Sequence, residues 1–229
     1  VVDGYGSTAT QEGPYSLIVN CTPVVDPNAC AELFFSEYIE GTSQDKALEI
    51  FNPTTNAIAL AGYTVEIYSN GSSTPSSSIS LTGSVASQDV FVLANPSASA
   101  GILAVTDQTD GGLTHNGNDA IVLLNPIGDT IDIIGQVGID PGTAWSGGSA
   151  STEGQVLVRK ASVQSGIFNT PSTFDPSIEW DDYLLSDLSH LGNHIGSCSV
   201  CATASISKSI CPNESYVFGG NTLTAPGTY

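Results

Sequence analysis

Two short stretches restrict the kind of fold this chain can adopt. In Lys46–Phe51 (KALEIF), Leu48 and Ile50 alternate with Ala47, Glu49 and Phe51. In Tyr63–Tyr68 (YTVEIY), Tyr63, Val65 and Ile67 alternate with Thr64, Glu66 and Tyr68. Successive side chains of an extended backbone point to opposite faces, so period-two patterning marks strands with one face buried and one at least partly wet. Comparable segments occur at Ala31–Glu40, Ile58–Ser69, Ser78–Leu81, Asp89–Ala94, Ile102–Val105, Asp119–Leu124, Thr130–Gln136 and Gln155–Arg159. Turn signals such as NPTTN, SNGSS, NPSAS, NGND and NPIGD separate many of them, and no stretch sustains a helical period. Many short strands with this punctuation predict an all-β, antiparallel sandwich or barrel. At 229 residues the chain has room for one large β domain, or for one domain with flanking pieces.

Charge narrows the function classes. Aspartate and glutamate outnumber lysine and arginine 23 to 4, a formal charge of −19. Nucleic-acid affinity comes largely from basic side chains displacing counterions, so direct DNA or RNA binding is not expected. An acidic, Ser/Thr/Asn/Gly-rich surface suits a secreted protein and attracts divalent cations. The chain has no methionine, even at position 1, which is the expectation for a fragment or a processed product. No run of about 18 apolar residues is present, so no membrane span is expected. The five cysteines (Cys21, Cys30, Cys198, Cys201, Cys211) all lie outside or at the edges of the long central segment. Bracketing cysteines suggest staples in an oxidising compartment. Cys30 with Cys198 would tie the ends of the central domain, and Cys201 with Cys211 would close a small loop, leaving Cys21 for a partner further upstream. An all-thiol state in a reducing compartment is the alternative.

A series of blocks carries a family resemblance: LFFSEYIEG, KALEIFNPT, LAGYTVEIYSNG, DVFVLAN, LTHNGNDAIVLLN and DTIDIIGQVGIDPGTAW, continued by QVLVRK and FDPSIEWDDY. In this order and spacing they resemble the lamin-tail domain in its bacterial secreted form, from Ala31 to about Trp145 and onward to near Leu191. The resemblance implies an immunoglobulin-like antiparallel β-sandwich over residues 30–198, used as a non-catalytic module, and brings no catalytic or ligand motif with it. Residues 1–23 (DGYGSTATQEG followed by PYSLIVNC) resemble the closing hairpin of pre-peptidase C-terminal-type modules. The alternative is an edge strand of the central domain, followed by a Pro-rich linker. Residues 199–229 resemble the start of Cys-containing β-rich repeats in large secreted bacterial proteins, against a C-terminal hairpin packed on the sandwich.

Several polar constellations are candidates for chemistry. Asp107, Asp110, Asn116, Asn118 and Asp119, within TDQTDGGLTHNGND, supply oxygens on a Gly-containing loop, as calcium requires, but without the regular spacing and terminal Glu of an EF-hand. Asn-Gly and Asp-Gly are also ordinary turn residues, and that reading is preferred. Glu37, Glu40, Glu49 and Glu66 lie on neighbouring strands. Paired carboxyls can do acid–base chemistry, and Glu37 could face Glu49 across the first hairpin, but a solvated sheet face is the preferred reading. His190, His194, Cys198 and Cys201 have spacing that could serve zinc, with disulfides preferred. His115 is expected exposed in a turn. Asp129, Asp132 and Asp140 with Trp145 could form a sugar platform, and Asp181 and Asp182 flank Trp180, but both tryptophans are expected to pack. No G-x-S-x-G elbow, P-loop or H-E-x-x-H is present. Asn20, Asn70 and Asn213 match glycosylation sequons that matter only in a eukaryotic secretory pathway.

These readings converge on a non-catalytic binding or structural module of a secreted or cell-surface multidomain bacterial protein. Its expected partners are other domains of that protein or surface proteins, and it needs no cofactor, although calcium is possible. The alternatives are an accessory domain of a secreted nuclease or phosphoesterase, and a calcium-dependent adhesion or glycan-binding module.

Overall fold

The computed structural model describes residues 29–198, together with four short strands, Ser16–Ile18, Ser205–Ser207, Tyr216–Phe218 and Asn221–Leu223. The chain divides into two compact units, one formed by Val25–Cys198 and the other by Val1–Val24 with Ser199–Tyr229. In the second unit, Ser16–Ile18 pairs antiparallel with Ser205–Ser207, and Tyr216–Phe218 with Asn221–Leu223. Cys201 and Cys211 lie outside the described residues.

The first unit is an immunoglobulin-like β-sandwich. Its two main sheets are built from β1 (Phe34–Glu40), β2 (Lys46–Phe51), β3 (Thr64–Tyr68), β4 (Ser77–Ser80), β5 (Val90–Ala94), β6 (Gln108–Thr109), β7 (Ala120–Leu124), β8 (Thr130–Ile134), β9 (Val156–Arg159) and β10 (Trp180–Tyr183), and two-residue strands pair apart from them at Ile58–Ala59 with Ser84–Val85 and at Ser146–Gly147 with Ala150–Ser151. One sheet has the order β10-β9-β1-β2-β5-β6, the other β8-β7-β3-β4. All pairings are antiparallel except β5 with β6. Two one-turn helices, α1 (Ala100–Leu103) and α2 (Pro176–Glu179), fill connections. The apolar run at Ile102–Val105, read from sequence as a strand, therefore forms α1 and the turn after it. There Ile102 is buried and the backbone bonds run back along the turn, from the Leu103 N–H to Ser99 and from the Ala104 N–H to Ala100. The long segment Ile58–Ser69 is broken at Gly62, whose φ of +95° and close approach to Pro126 (2.9 Å from an added Cβ to the Pro126 Cβ) exclude a side chain.

Alternation places the core where the pattern predicts. Tyr38, Leu48, Ile50, Phe91, Leu93 and Leu157 from one sheet meet Val65, Ile67, Ile79, Ile121, Leu123 and Ile131 from the other. The pleat of β1 is interrupted once. The register runs Phe35↔Ile50 and then Glu37↔Glu49, so Ser36 is an extra residue on β1. This bulge keeps both Phe35 and Tyr38 in the sandwich core and turns Glu37 to the outer face.

The bulge is fixed by a buried ionic junction. Asp132 of β8 accepts the Phe35 N–H at Oδ2 (2.8 Å) and the N–H groups of Ile133 and Ile167 at Oδ1 (2.9 and 2.8 Å). Its Oδ2 also lies 3.2 Å from Arg159 Nη1 on β9. Both side chains are fully shielded from solvent. The guanidinium continues to Glu179 (2.8 Å), stacks on Trp180 (4.6 Å to the ring centre) and reaches Phe34 (5.8 Å). Charge is tolerable here because each carboxylate oxygen is bonded and the cation has two anions and two π faces.

Cys30 and Cys198 form a disulfide across 168 residues, with Cα atoms 5.6 Å apart, closing the sandwich at its two ends. His115, expected exposed, is wholly buried instead: its Nε2 bonds to the Ile39 carbonyl (3.0 Å) and its ring tilts against Tyr38 (4.9 Å). The turn that carries it folds over the sheet, which a local reading of LTHNG could not show.

Three measurements test this account. Asp132→Ala strands the Arg159 charge, and urea unfolding should show a loss of roughly 3–5 kcal/mol, the cost of breaking a buried pair. The Cys30→Ala/Cys198→Ala double variant should lose roughly 3–5 kcal/mol by the same assay, because so long a closed loop restricts the unfolded chain strongly. Burial holds His115 down at about 3 against an ordinary value of 6.5. The unfolded chain therefore takes up a proton that the fold refuses, so stability is complete above pH 6.5 and falls as pH drops towards 3. Thermal melts from pH 7 to 4 should show the melting temperature of the native chain falling relative to that of His115→Gln, in which this contribution is absent.

Candidate functional site

The five calcium candidates fall into two hydrogen-bond networks that share no partner. Asp107 Oδ2 accepts the Val92 N–H (2.8 Å) and Asp110 Oδ1 the Gly112 N–H (2.7 Å), both beside β5 and β6. Asp119 instead accepts the N–H groups of Asn70 (2.9 Å) and Asn116 (3.0 Å). Next to it, the Asn118 amide donates to Asn70 Oδ1, Asp140 Oδ1 and the Gly142 carbonyl, at 3.1, 3.2 and 2.9 Å. Burial pushes the Asp119 carboxyl above its ordinary value against the pull of its two N–H donors, and Asp140 adds to the rise. Each of these three carboxylates thus accepts at least one backbone N–H, Asp119 at both oxygens and Asp107 and Asp110 at one each. Among the described residues, no group of three or more His, Cys, Asp or Glu is arranged to hold a metal ion.

The zinc spacing also disperses. Cys198 is committed to Cys30, His190 stacks on Tyr183 (4.1 Å) and His194 packs edge-on against Phe51 (4.8 Å). Burial, with Arg159 nearby, holds His194 down at about 4. Cys201 lies outside the described residues. The acids around the tryptophans separate as well: Asp129 borders a surface cleft, Asp132 holds Arg159, and Asp140 faces Asn118. Trp145 is buried against Phe174 and the bare α-carbon of Gly135, whose φ is +84°. Trp180 lies under the Arg159 guanidinium. Neither ring is available as a platform.

The four glutamates do not share a wet face. Glu66 lies on the outer face of the four-stranded sheet, bonded by the Tyr68 hydroxyl (2.6 Å). Glu40 is paired with Lys46 (2.6 Å). Glu37 and Glu49, direct partners across β1 and β2, are 0 % and 1 % exposed. Their sheet face, expected solvated, is covered by the segment after β10, residues 184–194. Glu49 accepts the Ser36 hydroxyl and the Gly192 N–H, both at 2.6 Å, while neither oxygen of Glu37 has a partner among the described residues. Burial pushes Glu37 up to about 9, and Glu49 and Asp187 add to the rise. Burial also raises Glu49, against the hydrogen bonds it receives. Two adjacent carboxyls that burial pushes towards the protonated form are elements of acid–base chemistry, but neither lines the clefts beside Leu188, Asp129 or Phe174.

The largest of these clefts, about 720 Å³ and open to solvent, runs beside β8 and the loop after β9. Glu32, Asn125, Asp129, Thr130, Phe168 and Asn169 line it. Glu32 is fixed by the Tyr63 hydroxyl and the Leu33 N–H, both at 2.9 Å. Acids and amides around one half-buried ring offer acceptor-rich walls with a small apolar floor. Sequence reasoning missed this cleft because its residues come from three separate segments. It also missed Arg159 and the pairing of Asp132 with it, although each carries a signal: a lone charge inside an otherwise apolar strand (VLVR and TIDII).

No helix among the described residues is long and apolar enough to cross a membrane. No curated protein and no solved structure matches the chain. Residues 26–138 match the family described as Lamin Tail Domain. That span takes in β1–β8, including the whole four-stranded sheet, whereas β9, β10 and the covering segment lie beyond it. In its blocks and in this match, the part of the chain over residues 26–138 is similar to the lamin tail domain.

Proposed function

We propose that this sandwich is a non-catalytic interaction module of a larger secreted or cell-surface bacterial protein, and that it presents an acidic exterior to a cationic segment of a protein partner. One observation carries the reading: every Lys and Arg of the sandwich is committed internally. Lys46 pairs with Glu40, Arg159 with Asp132 and Glu179, and the Lys160 ammonium caps the Ser177 and Ile178 carbonyls (2.6 and 3.1 Å). The solvent-facing surface is left to the carboxylates, which favour a basic partner at long range. The acid-lined cleft beside β8 is the natural seat for such a segment. The Cys30–Cys198 disulfide supports an oxidising compartment outside the cytoplasm. The similarity to the lamin tail domain supports a modular role. Calcium is not required in this reading, because the candidate carboxylates already accept backbone hydrogen bonds.

A Lys/Arg-rich peptide titrated against the full chain should bind at low salt and weaken steeply as salt rises. Glu32→Gln/Asp129→Asn should weaken it by about three- to tenfold, the worth of two partly exposed ion pairs. Millimolar calcium should leave the melting temperature in place. Absence of peptide binding at low salt, or robust turnover of ester, glycoside or phosphodiester substrates, would overturn the reading.

A further inference from the structure

After β10 the chain forms no further strand within the sandwich. Residues 184–194 instead lie across the outer face of the six-stranded sheet. Leu191 is buried there with Ile39, Ala47, Val92 and Val156, and Leu185 and Leu188 pack at the margin. The backbone bonds within this segment are its own turns: Asp187 to Leu184, Leu191 to Leu188, and Asn193 to His190. Its polar attachment to the sheet is the Glu49 carboxylate, which accepts the Gly192 N–H and also draws on the Asn193 N–H. Beneath Leu185 and Leu188 a cavity of about 70 Å³ remains, bordered by Ile39, Gly41, Thr42 and Asp45. The cover is thus held by a few apolar side chains, the His194 ring against Phe34 and Phe51, and one carboxylate, and it is incompletely packed.

Glu37 sits next to that carboxylate. It is the cross-strand partner of Glu49, and both of its oxygens are buried without a partner among the described residues. The titratable groups that act on Glu37 are Glu49 from β2 and Asp187 from the cover, and Asp107 from the turn before β6 acts on Glu49 in turn. His190 Nδ1 lies 4.0 Å from Asp187. The charges acting directly on Glu37 are therefore both acids. An ionised Glu37 would place two anions one strand spacing apart, under a third, with no donor to receive the new charge. Lifting the cover relieves this, since water can then reach both carboxylates.

We propose that residues 184–194 form a proton-gated cover, closed while the Glu37 carboxyl holds its proton and lifted from the sheet when that proton is lost. Opening uncovers the apolar row of Ile39, Ala47, Val92 and Val156, a surface absent from the closed form. The sign follows from linkage. The closed form keeps the proton up to about 9, whereas an exposed glutamate releases it at about 4.5. The Glu37 contribution to closure is therefore complete below pH 4.5 and weakens as pH rises through neutrality towards 9, by up to about tenfold per pH unit, whereas His194, held down at about 4 in the closed cover, opposes closure only below its ordinary 6.5.

Brief digestion of the full chain with subtilisin, normalised at each pH to an unstructured peptide, tests the gate. Fragments are reduced and mapped by mass. Between pH 6 and 9, cleavage within 184–194 should rise at least about tenfold, because proteolysis follows the open population. In Glu37→Gln, which keeps the shape but cannot ionise, the rise should be less than about twofold. A flat profile in the native chain, an equal rise in the variant, or cleavage spread evenly over the sandwich would each overturn the proposal. Should Glu37→Gln fail to fold, infrared difference spectra of the native chain decide. The carbonyl band of a buried, protonated carboxyl must be present at pH 6 and vanish with the same midpoint as the rise in cleavage. A missing band, or a different midpoint, overturns the proposal.

Discussion

The buried contact between Asp132 and Arg159 joins what would otherwise be separate parts of the sandwich. Asp132 belongs to the outermost strand of the four-stranded sheet and Arg159 to the second strand of the six-stranded one. The same carboxylate takes the Phe35 N–H at the bulge in β1 and the Ile167 N–H in the loop after β9. One side chain therefore fixes sheet-to-sheet registry, holds a loop in place and stabilises the irregular step in the first strand. That step has a large effect: without the extra residue at Ser36, Glu37 would face the apolar core between the sheets. The ionic junction and the carboxyl pair on the outer face are two ends of one local distortion.

The strand ladder was legible because alternation is a local property. Leu48, Ile50, Val65 and Ile67 announce their buried face in a window of six residues, and the paired cysteines at either end bracket the domain. What failed to appear was set by distant chain. Glu37 and Glu49 look like residues of a wet face until residues 184–194 are laid over them, and Gly192 is 143 residues from the Glu49 that it meets. His115 looked exposed because Asn and Gly follow it, but its turn folds inward onto Tyr38. The acidic loop residues offered two readings, as turn residues or as oxygen donors, and each of Asp107, Asp110 and Asp119 accepts a backbone N–H.

The family match ends before the sheet does. β9 pairs with β1, and β10 with β9, so the residues beyond 138 make β1 an interior strand. Without them, the strand carrying the bulge and the carboxyl pair would be a free edge, open to pairing with another chain. The last third of the unit is accordingly part of the sandwich's own architecture: it supplies the guanidinium, two strands, the cover and the second half-cystine.

That half-cystine gives the domain an unusual mechanical character. Cys30 and Cys198 stand 5.6 Å apart at the beginning and end of the sandwich, and the disulfide makes them covalent neighbours. Tension applied to the chain on either side would pass from one sulfur to the other and bypass every strand between them. Stretched within a longer protein, this domain would behave as a short inextensible link, and its 168-residue loop would keep its fold under forces that unzip an unbridged sandwich.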